Sequence, residues 1–207
     1  MQRREEPDPG PVRRSMRLPG YDYAQGGAYF ITVCTAARRC CLGEIAGTTV
    51  RLTAAGRIVA EEWVRTAELR PGVSLDEFVV MPNHVHGVLV LLPSVGATRR
   101  VAPGRGGASP LRSGASPGSL GAIVGQFKAA SARRVNALRG TSGHAFWRGF
   151  YEHVIRNQAD LEAIRTYTLN NPLQWALDRE NPGGGRPERG ASAGPGSGAV
   201  GWDPEGV

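Results

Sequence analysis

The chain has 207 residues, 41% of them hydrophobic, which is enough for one domain with a real core; its Gly 29 and Pro 15 are unevenly spread, so the folded part is shorter than the chain. The net charge is +7 and every basic residue but Lys128 is arginine, which favours a polyanionic partner such as nucleic acid; GC-rich coding bias accounts for about half of the arginine excess, so the weight rests on charge rather than on the Arg-to-Lys ratio. No stretch reaches the roughly 18 apolar residues of a membrane span, the N-terminus lacks the apolar core of a signal peptide, and Cys34, Cys40 and Cys41 fit neither a disulfide framework nor a CxxC metal site, so a reduced, cytoplasmic protein with no membrane partner is expected.

Residues 1–17 are charged and proline-bearing and read as a mobile arm. Ala28 to Thr35 is rich in β-branched and aromatic types after Gly26-Gly27, which predicts a strand preceded by a turn. Thr53 opens a helical pattern through Ile58, Val59, Trp63 and Val64, closed by Pro71-Gly72. Ser74–Val80 and His84–Leu92 read as two strands of a hairpin around Met81-Pro82-Asn83. Residues 93–118 are built of Gly, Ala, Ser, Pro and Arg, with Gly-Ala-Ser-Pro at 107–110 and again at 114–117, and read as a flexible basic insertion that acts as a spacer. A helix follows from about Ser119 to Arg139, then an alternating strand over Phe150–Ile155, then a helix capped by Asn157 that runs to about Asn170 and is stopped by Pro172. From about Asn181 the chain offers little to bury and reads as a disordered tail. The order predicts an α+β domain over 18–180: a ferredoxin-like β-α-β-β-α-β antiparallel sheet with helices on one face, followed by a C-terminal helix.

Within the second hairpin strand stand His84, Val85 and His86. Successive strand residues point to opposite faces, so two histidines two apart share a face and can pinch one metal ion. Taken alone, the pair fits metal ligands and hydrogen-bonded strand residues about equally. Tyr167 and Asn171, four apart on the last helix, also share a face. A phenol there can act as a nucleophile if it is assisted, its free pKa being about 10, and an amide oxygen beside it can complete a metal site that orients a phosphate. Taken alone, Tyr167 is more readily an amphipathic core residue with its hydroxyl at the surface.

The segments Met81-Pro-Asn-His-Val-His86 and Tyr167-Thr-Leu-Asn-Asn-Pro-Leu173 resemble the two signature motifs of the single-tyrosine HUH transposases, and most nearly the REP-associated tyrosine transposases with their IS200-like domain. Three further stretches, Tyr21–Cys34, Leu120–Arg134 and Phe146–Asn157, are similar to the same family in order and spacing, so the resemblance covers roughly residues 17–180 but neither the insertion nor the tail. It implies that His84 and His86 bind Mg²⁺ or Mn²⁺ with Asn171 as third ligand, two imidazoles favouring Mn²⁺. It also implies that Tyr167 attacks single-stranded or hairpin DNA to form a 5′-phosphotyrosine, in a monomer or a homodimer.

Lys128, Arg133 and Arg134 on one helix are candidate phosphate contacts, a solvated helix face being the equal alternative. His153 is favoured as a structural residue, His144 as solvated, and Tyr151 has Ile155 where a metal-binding partner would be needed. Two other functions fit the residues less well. A non-catalytic nucleic-acid-binding module shares the element order, but the central strands carry histidines and aliphatics instead of base-stacking aromatics. A zinc hydrolase would show further His or Asp ligands, and a deaminase would show His-x-Glu with Pro-Cys-x-x-Cys.

Overall fold

Aromatic and β-branched residues make Gly27–Thr35 a strand, β1, that is buried on both faces at the centre of a four-stranded sheet in the computed structural model, which describes residues 26–92, 118–142 and 145–183. β4 (Val73–Val80) and β5 (His84–Leu91) form the expected hairpin, and β5 and β6 (Trp147–Ile155) flank β1. The order β4-β5-β1-β6, antiparallel throughout, is the predicted β-α-β-β-α-β sheet. Beyond the predicted elements, the chain adds a small hairpin, β2 (Gly43–Ala46) with β3 (Thr49–Leu52), between β1 and the first helix. Gly47 at φ 63 supplies the left-handed backbone that its two-residue turn requires.

The odd-numbered residues of β1 and β5 build the main core. Tyr29, Ile31 and Val33 with Val85, Leu89 and Leu91 meet Val59 and Trp63 of α1 (Ala54–Glu68) and Ile123, Val124, Phe127 and Val135 of α2 (Leu120–Leu138). Side-chain caps start both helices where the sequence predicts, Thr53 accepting from Gly56 N and Ser119 from Ala122 N. Gly87 lets Trp63 lie flat on the strand: a Cβ there would stand 2.5 Å from the Trp63 ring and 2.9 Å from Phe78 Cβ. Arg134 joins the two helices by donating to Glu61 at 2.6 Å and Glu62 at 2.8 Å.

The third helix, α3 (Gln158–Gln174), covers the opposite face, where Phe30, Val88 and Ile164 form a second, smaller cluster with Leu161 and Tyr167 against it. Asn157 caps it by accepting from Asp160 N at 2.9 Å. One expectation fails: the helix does not stop before Pro172 but passes through it to Gln174 and tightens into a 3-10 turn at Trp175–Leu177. Pro172 sits in the last turn, so only one intrahelical bond is forfeited, its ring already holds a helical φ, and both Asn171 and Pro172 are buried. Bidentate bonds from Arg165 to Asp76, at 2.6 and 2.7 Å, tie α3 to β4. Among the described residues no helix is long and apolar enough to cross a membrane. The arm at 1–17, His144 and nearly all of the insertion and the tail lie outside the described residues.

Candidate active site

His84 and His86 share the α3 face of the sheet, as their spacing predicts, with ring centroids 4.3 Å apart. They pair across the ladder with Cys34 and Thr32 of β1. Both are almost fully buried, at 0% and 4% exposure. Each is oriented by its own neighbour. His84 Nδ1 lies 2.8 Å from Asn83 Oδ1, while the Asn83 amide nitrogen donates to the carbonyls of Arg38 at 3.1 Å and Glu180 at 2.6 Å. Two carbonyl acceptors fix which end of the amide faces His84, so Nδ1 carries the proton and Nε2 keeps its lone pair. His86 Nδ1 lies 2.8 Å from Thr32 Oγ1. Burial, and then the Arg38 guanidinium, pull His84 down to about 3, and burial together with His84 holds His86 well below the ordinary histidine range against the raising effect of Asp178. Both rings are therefore neutral near pH 7, the form that binds metal.

α3 brings Tyr167 to the pair. Its Oη stands 3.4 Å from His86 Nε2, and its ring meets His86 edge-on at 5.3 Å and Phe30 edge-on at 6.0 Å. Phe30 in turn stacks on His86 at 5.2 Å. Asn171, one turn further along the helix, is 1% exposed.

The segment after α3 brings a residue that sequence reasoning missed. Asp178 Oδ2 lies 3.7 Å from His84 Nε2, and His84, His86 and Asp178 offer ligand atoms all within 4.8 Å of one another. Glu180 holds this segment down: it accepts from Cys34 Sγ at 3.2 Å and from Arg38, and Arg38 also donates to the Arg179 carbonyl at 2.9 Å. Burial, and then Glu180, push the Cys34 thiol up, so it remains protonated; Cys34, Cys40 and Cys41 are all free. No periodicity marks Asp178, and its place depends on these contacts, many residues apart in the chain.

Do these residues fit a divalent ion? Three donor atoms, His84 Nε2, Asp178 Oδ2 and Asn171 Oδ1, are buried without a hydrogen-bond partner. Buried polar atoms are rarely left so, because each forfeits its hydration without return. The ligand atoms of His84, His86 and Asp178, within 4.8 Å of one another, suit Mn²⁺, and Mg²⁺ with less imidazole preference. The residues present fit the ion.

The other candidates lie elsewhere. Lys128 and Arg134 belong to α2, on the opposite face of the sheet, and both have partners within the protein, the Arg148 carbonyl for Lys128 and the two glutamates for Arg134; Arg133 is exposed on the same helix. His153 is on the α3 face and bonds to Asp160 at 3.0 Å.

No family model matches the chain. A Haemophilus influenzae protein described only as uncharacterized is 34% identical over 168 residues, covering 81% of this chain and 92% of that one. The structure of a REP-associated tyrosine transposase bound to a REP hairpin superposes with a TM-score of 0.51 at 20% identity, over 77% of this chain and 74% of that one. A putative transposase from Deinococcus radiodurans gives a TM-score of 0.39 at 18% identity, over 74% and 95%. The chain belongs to one family with the Haemophilus influenzae protein, and its fold is that of the REP-associated tyrosine transposase.

Proposed function

We propose that the protein is a metal-dependent DNA transposase of the single-tyrosine HUH type, which cleaves and rejoins single-stranded or hairpin DNA. The observation that supports it most directly is the meeting of Tyr167 with His86, one of two buried histidines on one face of the sheet, the phenol oxygen 3.4 Å from His86 Nε2. The relative solved with a REP hairpin shares the fold, and the net charge of +7 suits a phosphate backbone.

In this reading Tyr167 Oη attacks a backbone phosphorus. The new O–P bond forms as the P–O3′ bond breaks, the phenol proton leaves to solvent, and the departing 3′ oxygen takes up a proton, giving a 5′-phosphotyrosine and a free 3′-hydroxyl. Attack by a 3′-hydroxyl on the phosphotyrosine reverses these changes and rejoins DNA. His84, His86 and Asn171 would hold the ion, the Asn171 oxygen being buried without another partner. A bound Mg²⁺ or Mn²⁺ supplies polarisation of the scissile phosphate. Phe30, packed on both His86 and Tyr167, holds the nucleophile's ring, and the Arg165–Asp76 pair fixes the helix that carries it.

The test is incubation of the purified protein with labelled hairpin oligonucleotides in Mn²⁺, Mg²⁺ or EDTA, beside Tyr167→Phe, on a denaturing gel. A metal-dependent covalent band that Tyr167→Phe lacks is expected. A band that survives in the variant would remove Tyr167 from the reaction, and a native gel shift with no covalent band would favour a non-catalytic DNA-binding module.

A further inference from the structure

Asp178 is buried with 5% side-chain exposure, yet only one of its two carboxylate oxygens is used. Oδ1 accepts from the backbone N of Glu180 at 2.7 Å, which fixes the plane of the carboxylate. Oδ2 has no hydrogen-bond partner and lies 3.7 Å from His84 Nε2, which has none either. At 3.7 Å the two atoms are too far apart to hydrogen-bond, and they face each other across a gap. Two ligands of one ion bonded at about 2.1 Å stand roughly 3–4 Å apart, so a separation of 3.7 Å suits a shared cation between them. The backbone is braced to keep this geometry, because Glu180 bonds to Arg38 and Cys34 and its carbonyl accepts from Asn83, the residue that orients His84.

We propose that Asp178 supplies an anionic oxygen ligand to the divalent ion held by His84 and His86, so that the metal site of this chain draws on the turn behind α3 as well as on the helix itself. The proposal rests on the metal site of the preceding subsection. Two imidazoles and an amide leave the charge of a divalent ion uncompensated; one carboxylate offsets half of it and adds the hard oxygen that Mg²⁺ and Mn²⁺ prefer.

Mn²⁺ binding to the full-length protein tests this without DNA, by calorimetry and by the loss of the free Mn²⁺ electron-spin signal, with metal-free melting temperatures alongside. Asp178→Ala and Asp178→Asn are expected to weaken Mn²⁺ at least as much as loss of an outer-shell partner does, roughly 10–100-fold. The metal-free melting temperature of the Asn variant should hold or rise, since it keeps the oxygen that accepts from Glu180 N and replaces the unpaired carboxylate oxygen with an amide N–H facing His84 Nε2. Asn keeps an oxygen for the Glu180 N–H and serves if the Ala variant does not fold. Unchanged Mn²⁺ affinity in the Asn variant, with a lowered metal-free melting temperature, would make Asp178 a structural peg and overturn the proposal while the two-histidine site stands. A wild-type protein that binds no Mn²⁺ would overturn both.

Discussion

The two faces of β5 are about equally buried and do opposite things. On one face Val85, Leu89 and Leu91 enter the core with Trp63 and Phe127, where buried polar groups such as Ser131 and Glu62 are hydrogen-bonded and the Trp63 indole N–H is left without a partner. On the other, one residue away, His84 and His86 sit under α3 and its following turn, among buried oxygens and nitrogens left without hydrogen bonds. Burial on the first face stabilises the fold, by about 25 cal/mol for each Å² of apolar surface removed from water. Burial on the second keeps imidazoles neutral and donor atoms unsatisfied, which costs stability and prepares a site for a cation. The comparison teaches that burial alone does not mark a core; the polar atoms left unpaired within it do the discriminating.

Three substitutions would break or sharpen this contrast. The largest effect is expected from Trp63→Ala, which empties the apolar side and should cost about 3–5 kcal/mol in urea unfolding, while the folded fraction keeps its Mn²⁺ affinity because the histidines face away. A loss of metal affinity beyond the loss of folded protein would show that the faces are not independent. Next is Thr32→Val, nearly the same shape but without the hydroxyl 2.8 Å from His86 Nδ1. It should leave the fold within about 1 kcal/mol yet weaken Mn²⁺ roughly 10–100-fold, since the ring loses the group that orients it. Unaltered affinity in a titration would mean that packing against Phe30 alone holds His86 in place.

The smallest effect concerns the tie between α3 and the sheet. The Arg165 guanidinium holds the Asp76 carboxyl below its ordinary value of 3.8. The folded state therefore binds this proton less readily than the unfolded chain, so the contribution to stability is complete above pH 3.8 and is lost as the pH falls through the lower folded value. Asp76→Asn should lower stability at pH 7 by the same small amount that it removes from the acid limb, small because Arg165 is partly exposed, so the two proteins converge as the pH falls through the folded value. An acid limb identical in the two proteins would mean that other carboxyls carry it.

Much of the fold was legible because local rules and the tertiary result agreed. The strands at 28–35 and 84–92, the helix starts at Thr53, Ser119 and Asn157, and the order of elements all recur in the structure. Pro172 misled, because the preference of the residue before proline is weak against a helix end that buries Asn171 and Pro172 together. The β2–β3 hairpin lacks a long apolar alternation and depends on a positive φ at Gly47.

For the candidate site the division is clear. The sequence by itself determined that His84 and His86 share a face, because a strand repeats every two residues, and that Tyr167 and Asn171 share another, because a helix returns after about four. Only the tertiary structure decided that those two faces meet, that Asn83 and Thr32 orient the rings, and that Asp178 arrives beside them on a turn held by Glu180 and Arg38. Periodicity carries information over a few residues; Asp178 is placed by contacts such as Cys34 with Glu180, 146 residues apart, which no local pattern encodes.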